Sequence, residues 1–123
     1  MTDVYILGIG MTGLGKFVER SVKDLTREAV DLALRDAGAN IEDIQAAWFS
    51  NTRQGLLEGQ NGVRGQCALR PLGFKRIPIT NVENACASGS TALLQAVAHI
   101  KAGLCDTTLV VGAEKMFFPD KRD

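Results

Sequence analysis

Histidine, proline and cysteine are all scarce in this chain of 123 residues, which has one histidine, three prolines and three cysteines. Cys67, Cys86 and Cys105 are odd in number and none belongs to a CxxC pair. With His99 as the single imidazole, the spacing supports neither a metal site nor a disulfide framework. Free thiols in a reducing compartment are the expectation. An excess of one charge is also missing, because 14 basic residues balance 14 acidic ones. No net field draws a polyanion, which argues against a nucleic-acid or acidic-membrane partner and leaves room for a small anion held by local groups. Long hydrophobic runs are absent as well. The stretch 104–111 is too short and too polar to span a bilayer, and the start of the chain has no charged region, apolar run and cleavage site in series. A soluble protein of the cytoplasm is expected, with an organelle matrix as the alternative.

What remains has an ordinary globular balance, 46% hydrophobic and 23% charged. Residues 4–9 (VYILGI) are β-rich and run into a glycine-rich stretch, which reads as a first strand followed by a loop. Residues 21–37 read as a helix: Leu25, Ala29, Leu32, Ala33 and Ala37 recur at helical spacing, and Gly38 supplies the stop. Ala46–Ser50 reads as a second strand and 58–69 as a weakly patterned helix closed by Pro71 and Gly73. Residues 77–82 form a third strand, for which Pro78 favours an edge. Residues 87–102 form a helix ending at Gly103. Residues 107–112 form a fourth strand, apolar enough to be buried on both faces. Alternating strands and helices predict an α/β fold, a mostly parallel sheet with helices on both faces.

The helix over 87–102 does not suit a self-contained domain. Its apolar residues, among them Ala92, Leu93, Leu94, Ala96, Val97 and Ile100, cover most of its circumference. Such a helix is buried on nearly all sides, whereas one sheet covers only one of them. A second body is therefore expected against it.

The chemistry concentrates in residues 81–93, NVENACASGSTAL. Here a strand ends, a short turn follows, and Cys86 stands where a helix begins. Unpaired amides and the positive end of the helix dipole face that position, favouring thiolate over thiol. Ser88, Gly89 and Ser90 keep the first turn small, so a thioester can approach closely; Ser88 and Gly89 are candidate substrate-binding residues. The arrangement follows nucleophile-elbow logic with cysteine in place of serine. On placement alone, a nucleophile and one more buried small residue are equally good readings of Cys86. Cys67 and Cys105 lack the strand–turn–helix setting and read as inert.

NVENACASGSTAL resembles the acylated-cysteine motif of the thiolase superfamily, in the branch of sterol-carrier-type thiolases and lipid-transfer acetyl-CoA acetyltransferases. GIGMTGLGK over 8–16 is similar to the family's first glycine-rich turn, and GAEKM over 112–116 to the segment ending its fourth strand. The resemblance covers essentially the whole chain. It implies that residues 1–123 are the N-terminal half-domain, with strand order 3-2-1-4, and that a second half supplies the missing cover for the helix. It further implies an acyltransferase in which Cys86 takes an acyl group from a coenzyme A thioester, making or cleaving 3-ketoacyl-CoA with no metal or redox cofactor. A homodimer through the third strand is implied, or a second chain supplying the missing half. The remaining catalytic groups belong to that half, so the isolated chain is expected to be inactive. His99 is no substitute, since thirteen residues of helix place it roughly 20 Å from Cys86. With Thr91 and Gln95 it reads as a polar seam at a helix contact. One departure stands out: Glu83 occupies a position that is asparagine in many thiolases, and an ionised carboxylate there opposes a thiolate unless it points away.

Two other classes compete with this reading. One is a non-catalytic assembly subunit of a multi-chain thiolase-like complex, and the other a ketosynthase-type condensing enzyme acting on carrier-protein thioesters. A dinucleotide site at Gly8, Gly10 and Gly13 matches GxGxxG in letters only: no helix opens at Gly13, and the second strand leads into Ser50, Asn51 and Thr52 rather than an acidic residue. Trp48 and Phe49 read as core, Lys16, Lys75 and Arg76 as solvated charges within reach of a coenzyme A phosphate, and Phe117 and Phe118 as core or interface.

Overall fold

The structure, a computed structural model, describes residues 2–117. Helix α1, Val22–Ala37, starts where sequence logic places it. Ser21 Oγ accepts from the Asp24 amide at 3.1 Å while Asp24 Oδ2 accepts from the Ser21 amide at 2.9 Å, a reciprocal capping box. Glu58 adds a second carboxylate to this helix end, accepting from the Val22 amide at 3.0 Å. Gly38, left-handed at φ 63°, closes the other end. The strands are β1, Ala46–Ser50, β2, Ile79–Val82, and β3, Thr108–Gly112; the remaining helices are α2, Gln54–Glu58, α3, Arg64–Leu69, and α4, Ser88–Lys101.

All strand pairs are parallel, in the order β2-β1-β3. β1 is buried along its whole length, and its alternating side chains divide the core in two. Ala47 and Phe49 join Val22, Val30, Leu69 and Leu109 under α1 and α3. Ala46 and Trp48 join Val82, Ala92 and Ala96 under α4. The expected α/β architecture with helices on both faces is what forms.

The expected strand order 3-2-1-4 needs correction. Residues 4–9 form no strand, and the place beside β1 that they were expected to fill is taken by β3, in register from Ala46 opposite Thr108 to Ser50 opposite Gly112. The reason lies in α1. A side chain at Gly8 would come within 2.5 Å of the Ala37 amide nitrogen, and one at Gly10 within 2.5 Å of the Ala29 carbonyl. The two glycines let the backbone run along the alanine stripe of α1, where the Ile9 amide donates to Asp36 Oδ2 at 2.8 Å. This close approach also gives those glycines a packing reason unrelated to any dinucleotide. The alanine stripe thus carries the N-terminal segment, and the helix turns Val22, Leu25, Thr26 and Val30 inward instead. An apolar gap remains between Ile6–Gly10 and the open edge of β3, lined also by Leu93. With that edge open, β3 is only alternately buried, at Leu109 and Val111, rather than covered on both faces as expected.

Of the helix expected over 58–69 only Arg64–Leu69 forms; Glu58 ends the separate short helix α2, because Gly59 takes the left-handed conformation and residues 60–63 form a loop. β2 is an edge strand directly following Pro78, as the proline implied. On α4, only Ser88, Ala92 and Ala96 are buried, while Leu93 is 46% and Leu94 70% exposed. The outer apolar face of this helix is therefore uncovered, as its composition foretold. No helix among the described residues is long and apolar enough to cross a membrane.

Candidate functional site

The parallel strands β1, β2 and β3 end on one side of the sheet, and the loops leaving them meet there. β2 ends at Val82, and the chain reverses through residues 83–87 before α4 begins at Ser88. The reversal turns on Ala85, left-handed at φ 48°. A residue with a Cβ costs about 1–2 kcal/mol in that conformation, so neighbouring groups must hold it there. Glu83 Oε2 accepts from the Ala85 amide at 2.6 Å. Ser88 Oγ donates to the Ala85 carbonyl at 2.7 Å and accepts from the Asn84 amide at 2.8 Å. Asn84 Nδ2 reaches Thr91 Oγ1 at 3.0 Å, tying the turn to the second turn of α4.

This geometry places Cys86 between the left-handed residue and the helix, with its side chain exposed. Within this chain, then, Cys86 is not a core residue. The first amides of a helix lack intrahelical partners, and those of Gly89 and Ser90 have no hydrogen bond among the described residues. Of the two candidate substrate contacts, Gly89 is exposed, and a Cβ added there would meet nothing within 4 Å. Ser88 is only 6% exposed, with its hydroxyl engaged inside the turn. Glu83, whose charge was expected to oppose a thiolate, has one carboxylate oxygen turned back onto the Ala85 amide.

The neighbouring loop 51–53, which leaves β1, comes against this turn. Thr52 Oγ1 lies 3.4 Å from both the Ala85 carbonyl and Ser88 Oγ. Glu114 beyond β3 and Arg64 of α3 both bind the loop's backbone. Sequence reasoning missed this part of the site. Glu114 stood within the quoted GAEKM segment and Thr52 two residues past β1, yet no spacing rule connects them with Cys86; only the parallel sheet does.

His99 is not brought to the cysteine. Its ring meets Trp48 edge-on with centroids 5.1 Å apart, so it faces the sheet, while Thr91 bonds Asn84 and Gln95 is exposed. Trp48 and Phe49 are core as expected. Phe117 lies under the Lys16 ammonium at 4.7 Å, and Phe118 falls outside the described residues. Cys105 is half-buried, and burial, with Asp106 adding to it, pushes its thiol above the ordinary value. No group of three or more His, Cys, Asp or Glu side chains suited to a metal ion occurs among the described residues.

Residues 4–120 match the family described as thiolase, N-terminal domain. An acetyl-CoA acetyltransferase of Methanocaldococcus jannaschii is 43% identical over 116 residues, covering 94% of this chain and 29% of the relative. Sterol carrier protein 2 of Gallus gallus is 37% identical, covering 92% of this chain and 20% of the relative. Among solved structures, 3-oxoacyl-[acyl-carrier-protein] synthase III from Aquifex aeolicus VF5 superposes with a TM-score of 0.69 at 25% identity, over 79% of this chain and 30% of that one. The priming β-ketosynthase of the R1128 polyketide pathway shares the fold, with a TM-score of 0.66 at 23% identity over 80% and 28% of the two chains. This chain spans less than a third of the length of each of these proteins.

Proposed function

The chain belongs to the thiolase family, whose N-terminal domain it carries, and from that premise we propose that Cys86 accepts an acyl group from a coenzyme A thioester. The observation that carries this reading is an exposed thiol in a strained turn at the mouth of a helix whose Gly89 and Ser90 amides have no partner among the described residues. Sγ, as thiolate, attacks the thioester carbonyl carbon, and a C–S bond forms as the carbonyl electrons move to oxygen. Collapse of that oxyanion breaks the bond to the coenzyme A sulfur, which leaves and takes up a proton, and Cys86 is left as an acyl thioester. In synthesis the acyl group then passes to an acetyl-CoA carbanion, formed by loss of a proton, making a 3-ketoacyl-CoA. In cleavage Sγ instead attacks the 3-keto carbon of a 3-ketoacyl-CoA, the C2–C3 bond breaks, acetyl-CoA leaves as the carbanion and takes up a proton, and the acyl group passes from Cys86 to coenzyme A. None of these steps calls for a metal or redox cofactor. Exposed Gly89 keeps the approach to Sγ open, and Ser88 acts by shaping the turn.

In this reading the whole enzyme works in the cytoplasm or an organelle matrix, on acyl-CoA of unspecified chain length. Its partner is a second copy paired along the open edge of β2, or a second chain supplying the other half. The test is labelling of the chain by acetyl-CoA, and separately by iodoacetamide, followed by peptide mass spectrometry. Cys86 should be modified first, ahead of Cys67 and of Cys105 with its raised thiol. Equal or slower modification of Cys86 removes the proposal and favours a non-catalytic assembly subunit.

A second reading, condensation on carrier-protein thioesters, is favoured by the superposition on 3-oxoacyl-[acyl-carrier-protein] synthase III. Preferential acylation of Cys86 by an acyl carrier protein thioester over acetyl-CoA would select it.

A further inference from the structure

Glu114, just past the end of β3, directs its whole carboxylate at a loop of another element. It accepts from the Arg53 amide at 2.8 Å, the Thr52 amide at 2.9 Å and Asn51 Nδ2 at 3.2 Å. Arg64 grips the same loop from its carbonyl side: Nη1 donates to Asn51 Oδ1 at 3.0 Å and to the carbonyls of Asn51 and Thr52 at 3.2 Å. An anion thus meets the loop's donors and a cation its acceptors, the stronger class of hydrogen bond in each case. Glu114 is exposed and Arg64 half-buried, so neither side chain is part of the apolar core.

The loop they hold delivers Thr52 to the Cys86 turn. Left-handed Ala85 keeps its conformation only while its surroundings over-determine it. Three of its contacts come from within the turn: Glu83 Oε2 and Ser88 Oγ at short range, and the Ser88 amide, which donates to the Ala85 carbonyl at 3.2 Å. The fourth comes from outside, from Thr52 Oγ1 at 3.4 Å. That is long for a hydroxyl bond, so a small displacement of the loop is enough to lose it.

We infer that Glu114 and Arg64 are positioning residues for the nucleophile: by clamping loop 51–53 they seat Thr52 against Ala85, and so hold Cys86 Sγ at the mouth of α4. This rests on the reading of Cys86 as the acyl acceptor. Glu114 and Arg64 touch no reacting atom and act through Thr52.

The experiment measures iodoacetamide alkylation rates of all three cysteines in the full 123-residue chain, for the wild type, Glu114→Gln, Thr52→Val and Thr52→Ser. Glu114→Gln and Thr52→Val should slow Cys86 by about two- to threefold, the low end of what one hydrogen bond contributes, as suits so long a contact. Cys105 should keep its rate in both, and Thr52→Ser should restore that of Cys86. A general loss of structure has a different signature, since the half-buried Cys67 and Cys105 then speed up. If Glu114→Gln shows it, the Thr52 pair decides. Unchanged Cys86 rates in Glu114→Gln and Thr52→Val, or an equal loss in Thr52→Ser, overturn the inference and leave Cys86 as acyl acceptor intact. A wild-type Cys86 no faster than Cys67 and Cys105 overturns both.

Discussion

Gly89 is the residue at which stability and chemistry make opposite demands. It stands in the first turn of α4, exposed, with open space where a Cβ would go. Nothing in the chain's own packing requires glycine there, and glycine in a helix is worse than alanine by about 0.8–1.0 kcal/mol. Gly89→Ala should therefore raise stability to urea by up to about 1 kcal/mol, read as a higher midpoint at unchanged slope. If the open approach to Cys86 is what glycine preserves, acylation of Cys86 by acetyl-CoA should fall in the same variant. A stabilised variant with undiminished acylation would leave Gly89 with no part in substrate approach. Neighbouring Ser88 teaches the converse. Its small hydroxyl side chain and its place after a cysteine suggested substrate contact, because sequence gives the type and order of residues but not their direction. The side chain turns inward because Ala85 and Asn84 present a carbonyl and an amide to it.

At the scale of elements, helix ends were more legible than strand partners. Ser21, Asp24 and Gly38 mark both ends of α1 through local chemistry, and the structure agrees to within a residue. Hydrogen bonds from the Ser21 backbone, then from its hydroxyl, hold the Asp24 carboxyl below its ordinary value of 3.8, with Arg20 and Arg27 assisting. A carboxyl depressed in the folded state contributes stability that is complete above its unfolded pKa, about 3.9, and lost as pH falls through the folded value. The chain should therefore weaken below about pH 4, and Asp24→Asn should flatten that part of the fall when urea midpoints at pH 7 and pH 3 are compared. Ser21→Ala should cost about 1 kcal/mol at pH 7 by removing the cap's side chain. Strand neighbours could not be read this way. The apolar run 4–9 has the letters of a strand, but glycines at positions 8 and 10 suit equally a backbone pressed onto alanines. Which of the two it became depends on α1, a distant element. The break at Gly59 within the expected helix 58–69 was visible as a glycine, yet weak patterning on both sides left it without weight.

The whole molecule is governed by surfaces that its own residues leave bare. The all-round apolarity of α4 was readable as a need for a second body, and Leu94 does lie exposed while Leu93 lines the open gap beside β3. The same shortage limits the chemistry. Around Cys86, Glu83 holds the Ala85 amide, Ser88 is engaged in the turn, and the imidazole of His99 packs on Trp48. The one histidine among the described residues thus does not stand at the turn to accept or return the protons that a complete cycle moves, and each missing oxyanion donor is worth about 10²–10³ in rate. The 123-residue chain should therefore acylate Cys86 once and stop, with no steady-state formation or cleavage of 3-ketoacyl-CoA in a coupled spectrophotometric assay. Leu94→Lys separates this shortage from poor folding. At 70% exposure, that substitution should leave the stability of the chain within about 0.5 kcal/mol and its single acylation intact. Joined to the remainder of a thiolase, where a second body covers α4, the same lysine would lose its water and abolish turnover. Sustained turnover by the chain alone would show that the turn already holds every group the reaction needs.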